Sequence, residues 1–275
     1  MEIYRVSPAH MTGAYEEKKH EMTLEEIRNT YRINKDLHTH TVYSQMGPYL
    51  HARGTIMQNV KAAHEQGLKE LAITDHGPKE MYGLNPKRIP RMRKQIARAM
   101  KRYPDVKVYL GVEANIMDSP NGLDVAPEDA AKYDFINAGY HYGVPHCGML
   151  LNWIAFRLPC PKTLRLYIQE QNTRLALRAL SNNNIKVLTH PGDKAYFDLD
   201  ALAAACEETG TLIEINARHK RPNAEDIRLM AKHDVKFIIS SDAHRPAHVG
   251  RYDSSIALAM EAGLNLGRIV NVEAR

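Results

Sequence analysis

The chain has 275 residues, 44% of them hydrophobic and 25% charged, with a formal net charge of +5. At that length the chain fits one α/β barrel or two small domains, and the composition is ordinary for a soluble globular protein without low-complexity tracts. Cys147, Cys160 and Cys206 are an odd set without a CxxC pair, which excludes a disulfide framework or a zinc ribbon, and no apolar run reaches the roughly 18 residues of a membrane span.

The mild basicity suits an anionic substrate. It is not spread as a long Lys/Arg tract, so charge alone does not imply nucleic-acid binding. The first 34 residues have no apolar core and no small-residue cleavage site of a signal peptide. A cytoplasmic, reducing location is the expectation, with the cysteines as core or bystander residues.

Residues 1–34 read as an N-terminal extension. Thr23-Leu24-Glu25-Glu26 forms a capping box, and the pattern predicts a short helix from there to about Asn34. The remainder, 35–275, reads as a single domain without linkers. Near-continuous apolar runs predict strands at Ile33–Leu37, Leu68–Thr74, Val106–Ala114, Phe135–Tyr140, Ile185–Thr189, Thr211–Asn216 and Lys236–Ser240. Strands apolar on both faces suit a parallel sheet covered on both sides. Helical patterns alternate with them at Thr55–Gln66, Pro86–Arg102, Pro127–Lys132, Lys162–Asn182, Leu199–Glu208, Ala224–His233 and Ser254–Ala262. Such alternation builds βαβ units. No glycine-rich phosphate loop follows the first strand, so seven βα units fit a closed or nearly closed barrel better than an open sheet.

All but one of the apolar runs end in a residue that can bind a metal. The runs close with His38-Thr39-His40, Asp75-His76, Glu113, His141, His190, Asn216 and Asp242-Ala243-His244. Six of the seven deliver His, Glu or Asp, where α/β barrels carry their chemistry. In a strand, residues i and i+2 face one way, so His38 and His40 can reach one ion, as can Asp242 and His244. Imidazole and carboxylate without thiolate suit zinc, iron or manganese.

With these motifs the chain resembles the polymerase and histidinol phosphatase (PHP) superfamily of metal-dependent phosphoesterases, over roughly Lys35 to Val272. The matching segments are Asp36-Leu37-His38-Thr39-His40, Thr74-Asp75-His76-Gly77-Pro78, Gly111-Val112-Glu113-Ala114-Asn115, Ala138-Gly139-Tyr140-His141, Thr189-His190-Pro191-Gly192 and Ser241-Asp242-Ala243-His244. The resemblance implies a distorted (β/α)7 TIM-like barrel and three divalent metal ions, zinc, manganese or iron. It implies one ion held by His38, His40, Glu113 and Asp242, and a second by Glu113, His141 and His190. A third would take His76, His244 and one more histidine. The family's usual position for that histidine reads Ser44-Gln45-Met46 here. His51, at the usual distance before His76, is the candidate, with Gln45–Leu50 as a short insertion; the alternative is a lost ligand and two metals.

The implied activity is hydrolysis of a small phosphomonoester, such as histidinol phosphate or a nucleotide. Clustered ions lower the pKa of a bridging water, so hydroxide is available at neutral pH. Glu113, Asp242 and His244 join Arg218 as the expected catalytic residues. Arg218, after the sixth strand, is the first choice to clamp the phosphate; His219, Lys194, His146 and Arg245 are further cations near that rim. Asp36 and Asp75 are candidates to orient ligand imidazoles. His10, His20, His64, His233 and His248 read as surface groups. The apolar segment 148–156 is a lid, a contact between copies or buried packing, and a homo-oligomer stays open. No membrane partner is expected; a nucleic-acid partner is not, although a short oligonucleotide stays open as a substrate. The alternatives are an amidohydrolase, which wants eight strands and often a lysine where His141 stands, and a degenerate metal-binding barrel.

Overall fold

The computed structural model describes residues 22–144 and 149–275. In chain order the elements are α1 (Leu24–Thr30), β1 (Tyr31–Ile33), β2 (Lys35–Asp36), β3 (Gln45–Met46), β4 (Tyr49–Leu50), α2 (Ile56–Glu65) and β5 (Glu70–Ile73). Then come α3 (Ile89–Arg102), β6 (Lys107–Leu110), β7 (Val112–Asn115), α4 (Pro127–Ala130), β8 (Ile136–Gly139), α5 (Met149–Arg157), α6 (Lys162–Asn182) and β9 (Ile185–Leu188). The last are α7 (Leu199–Thr209), β10 (Leu212–Asn216), α8 (Ala224–Met230), β11 (Phe237–Ser240), α9 (Asp253–Glu261) and β12 (Val272–Ala274).

The expected alternation of strands and helices is present, in a mixed α/β single-domain fold with parallel sheets. One parallel sheet has five strands in the order β11-β10-β9-β8-β7, the other three in the order β2-β5-β6. No closed sheet is formed among the described residues. The run expected as one strand at Val106–Ala114 is split at Gly111, where a Cβ would come within 2.9 Å of the Thr74 Cγ2 methyl. Its halves sit in different sheets. An isolated parallel bridge, His76↔Glu113, lies between β5 and β7, and another, Thr39↔Ala243, lies between the chain ends of β2 and β11.

Burial follows the sequence pattern. β7, β8 and β11 are buried along their whole length. Most core side chains lie between strands and helices, including Ile73, Leu110, Leu188, Phe237 and Met92. A second small cluster joins Leu37, just after β2, with Ala72 of β5, Val187 of β9 and Ile238 of β11. Helix ends obey their chemistry: Thr23, Thr55 and Asn223 complete capping boxes, and α7 stops at Gly210, left-handed at φ 70°.

Two expectations need correction. Helix α1 ends at Thr30, before the expected Asn34, because Tyr31–Ile33 pairs antiparallel with Val272–Ala274. Pairing with the far end of the chain overrides the local helical pattern. The stretch Gln45–Leu50, expected as a loop insertion, is a two-stranded hairpin turning at Gly47 (φ 56°). No described helix is long and apolar enough to cross a membrane.

Candidate metal centre

Strand ends bring the candidate residues together around Glu113, whose side chain is fully buried. Its Oε1 lies 3.3 Å from His38 Nε2, 3.4 Å from His141 Nε2 and 2.9 Å from His190 Nε2. Its Oε2 lies 3.5 Å from His40 Nε2 and 3.0 Å from His76 Nδ1. Asp242 Oδ1 lies 3.1 Å from His40 Nε2 and 3.2 Å from His244 Nδ1. The two Nε2 atoms of His38 and His40 point at each other across 3.0 Å, as expected of two donors converging on one ion. The backbone turns sharply to make these approaches: His190 and Asp242 have φ of 31° and 48°. Such left-handed residues cost on the order of 1–3 kcal/mol and persist where surrounding structure enforces them. Gly139 leaves room beside Glu113, since a Cβ there would come within 2.2 Å of Thr189 Oγ1.

Two groups orient the imidazoles, and neither is among the orienting candidates read from the sequence. Glu214 takes His38 Nδ1 at 2.7 Å, and its other oxygen accepts from His190 N at 2.8 Å and Asn216 Nδ2 at 2.9 Å. Asn115 Oδ1 meets His141 Nδ1 at 2.6 Å and is itself held by Asp124. Asp36 and Asp75 touch no imidazole. Asp36 accepts from Ser241 and Gly250 N, while Asp75 accepts from Thr41 and Ser44. Both tie loops together. The hint for Glu214 is its place two residues before a strand end, the same spacing that makes His38 face with His40.

Burial draws His40 and His76 well below the usual imidazole range and His190 to about 4, which keeps these rings neutral and able to donate lone pairs. Burial opposes ionisation of Glu113 and Asp242, but the surrounding imidazoles, His38 first, hold both well below the ordinary carboxylate range. Several buried imidazole nitrogens here have no hydrogen-bond partner: His40 Nδ1, His76 Nε2, His190 Nδ1 and His244 Nε2. Each such atom costs about 1–3 kcal/mol without a partner. Divalent cations would satisfy several at once, so the residues fit a metal centre. Among the described residues, four three-residue groups have donor atoms within 4.8 Å of one another: His38/His40/Asp242, His76/Glu113/His141, His40/His76/His244 and His190/His219/Asp242.

The last group contains His219, expected only as a further cation. Its ring packs 4.5 Å from that of His190, and its nitrogens reach Asp193 at 2.9 Å and Asp242 at 3.0 Å. His51 stands at the mouth, its ring stacked on Tyr82 at 3.7 Å and 4.6 Å from the His244 ring. Arg218 reaches Asp242 at 3.3 Å, and Lys194 lies beside Asp193 at 3.7 Å. Arg245 is exposed. His64 and His233 pair with the carboxylates of Asp105 and Asp200 away from the centre, and His248 is half-buried on the surface. His10, His20, His146 and Cys147 lie outside the described residues. Of segment 148–156, the described part is helix α5; Asn152 and Ala155 are buried while Leu150 and Trp153 are exposed. Cys206 is buried and Cys160 half-buried.

The PHP domain family model matches residues 36–218, two thirds of the chain. The chain belongs to the PHP domain family. Among its relatives is a probable phosphatase of Clostridium novyi (strain NT), 33% identical over 236 residues, covering 79% of this chain and 82% of the relative. Another, from Thermoanaerobacter sp. (strain X514), is 29% identical over 253 residues, covering 86% and 90%. The fold is similar to that of histidinol phosphate phosphatase from Lactococcus lactis subsp. lactis Il1403, solved with zinc, L-histidinol and phosphate. That match has a TM-score of 0.62 and 18% identity, and covers 84% of this chain and 94% of that one.

Proposed function

We propose that this protein, a hydrolase of phosphate esters, releases phosphate from a small phosphomonoester at a centre of three divalent ions. The carrying observation is the Glu113 carboxylate, with five imidazole nitrogens within 3.5 Å, three on one oxygen and two on the other. A carboxylate so surrounded suits a ligand shared between ions and not a proton acceptor. His38, His40, Glu113 and Asp242 would hold one ion, Glu113, His141 and His190 a second, and His51, His76 and His244 a third. When bound, such ions supply Lewis-acid polarisation of the phosphoryl group and a lowered water pKa.

The chain's own residues do the rest. Glu214 and Asn115 fix which nitrogen of His38 and His141 faces the centre. Arg218, less than half exposed beside Asp242, presents two N–H groups to phosphate oxygens. His219, held by Asp193, offers a hydrogen bond from the other side. Thr189 Oγ1 donates to Glu113 Oε1 at 2.8 Å and holds that carboxylate in place.

A distorted (β/α)7 barrel at 35–275, with 1–34 as an extension, is the architecture we infer. It is supported by the bridges Thr39↔Ala243 and His76↔Glu113 where the two sheets meet. The cluster of Leu37, just after β2, with Ala72, Val187 and Ile238 from three strands of both sheets supports it too. Histidinol phosphate and nucleotides are the first substrates to assay. Metal analysis of the purified protein, with phosphate release measured on these and on p-nitrophenyl phosphate, tests the proposal. Bound metal with release supports it. No release after adding Mn²⁺, Fe²⁺ or Zn²⁺ ends it.

A further inference from the structure

The chain's positive charge is concentrated in one place. Between Lys87 and Arg102 stand eight Lys or Arg residues and no acidic one, while the whole chain is only +5. Everything outside this segment is therefore net acidic. The cations interleave with apolar residues at helical spacing, so they form no continuous Lys/Arg tract. Arg88, Arg91, Gln95 and Arg98 follow one another at intervals that place them along one side of the segment containing α3.

That side faces a cavity of about 490 Å³, whose lining includes Arg88, Arg91 and Arg98 and, among the described residues, no carboxylate. None of the three arginines makes an ion pair among the described residues, unlike Arg93 on the same helix, which binds Asp134 at 2.8 Å. Arg88 is held in place. Its guanidinium lies 5.9 Å from the Tyr43 ring centre, and Gln45, with its amide oriented to satisfy both ends, accepts from it at 3.0 and 3.2 Å. Tyr43 also donates to Gln95 at 3.2 Å. Across the cavity stands Thr55, the N-cap of the ten-residue helix α2, whose first turn adds partial positive charge. Unpaired guanidiniums around a cavity without acids are a phosphate-recognition set.

The β3–β4 hairpin connects the cavity to the metal centre. Gln45 pairs with Leu50 across the hairpin, and the next residue is His51, whose ring lies 4.6 Å from that of His244. We propose that this groove is a second phosphate-binding subsite. It holds further phosphates of a ligand whose reacting phosphate lies among the histidines. The proposal rests on the phosphatase reading for the role of the groove, though not for its binding. No exposed aromatic side chain lines the groove, as Tyr43 is buried, so recognition is through phosphates and not through base stacking.

The test uses the full-length, metal-loaded protein and a labelled oligothymidylate of about ten nucleotides, with fluorescence anisotropy read at several salt concentrations. Arg91→Gln with Arg98→Gln keeps good helix formers at both positions. The double variant should bind at least about tenfold more weakly. The slope of log K against log salt should become shallower by about 1.4, for two lost contacts at about 0.7 each. Turnover of p-nitrophenyl phosphate should be unchanged. Lys94→Gln, on the same helix outside the cavity lining, should weaken binding much less. Inorganic tripolyphosphate should displace the oligonucleotide, since phosphates are what the groove reads. Equal affinity of the double variant and the wild type overturns the proposal, as does failure of tripolyphosphate to compete. Wild-type protein that binds the oligonucleotide through these arginines but turns over no phosphate ester would overturn the phosphatase reading alone.

Discussion

Glu214 Oε1 lies 2.7 Å from His38 Nδ1, both side chains fully buried, and this contact fixes which nitrogen of His38 faces Glu113 and Asp242. The same carboxylate accepts the backbone N–H of His190 at 2.8 Å, so one residue sets the position of two donors. Burial opposes its ionisation, but the charge of His38 holds its pKa below the ordinary value. Glu214→Gln keeps the size and removes the charge. Metal affinity should fall by about 10–100-fold, the usual effect of losing such a partner, while the far-ultraviolet circular dichroism stays the same. Competition against a chromogenic chelator measures this, and an unchanged affinity would remove Glu214 from the site.

Much of this centre is legible in the sequence because strand ends are legible. An apolar run followed by His38-Thr39-His40 or by Asp242-Ala243-His244 states both the element and the facing of its side chains. Glu214 is hidden because it lies inside a buried strand, where the apolar pattern gives no sign of a charged neighbour. That neighbour, His38, is 176 residues away. Asn115 is hidden for a related reason: its partner His141 comes from the next strand. The pairing of β1 with β12 joins residues more than 200 positions apart, which no local pattern encodes. The split at Gly111 is hidden too, since the close neighbour there, Thr74, is 37 positions earlier in the chain.

His51, proposed as the third ligand beside His76 and His244, lies outside the strand-end rule. It follows hairpin strand β4 and is stacked on Tyr82. Burial, reinforced by His244, draws its pKa down to about 3, so the ring is neutral at physiological pH. His51→Ala should lower metal content by about one ion per chain, read by elemental analysis after gel filtration. Unchanged stoichiometry would leave His76 and His244 without the third partner assigned here and would favour a two-metal site.

Asp36 joins the start of the domain to its end. Its fully buried carboxylate accepts from Ser241 Oγ, from Ser241 N at 3.2 Å and from Gly250 N at 3.0 Å. Removing the carboxylate strands these donors in the interior. Asp36→Ala should cost about 2–4 kcal/mol of stability, measured by urea unfolding of the metal-free protein. Asp36→Asn, which keeps one accepting oxygen, should cost less. A loss below about 0.5 kcal/mol in the alanine variant would mean that water replaces the carboxylate.

Cys206 supplies a pH dependence away from the candidate metal centre. Burial on the inner face of α7 pushes its thiol up to about 12 from an ordinary 9.0. Above pH 9 the unfolded chain gives up this proton and the folded chain keeps it, so the unfolded state binds fewer protons and stability falls as pH rises. The contribution is intact below about pH 9 and is lost progressively towards pH 12. Between about pH 8 and 10.5 the wild type should lose roughly 2 kcal/mol more than Cys206→Ala, by linkage. Alkylation at about pH 8 supplies a second check. Iodoacetamide should modify half-buried Cys160 in the native protein and reach Cys206 only after denaturation. Native-state modification of Cys206 at that pH would mean that α7 opens locally, and the alkaline slope should then shrink with it.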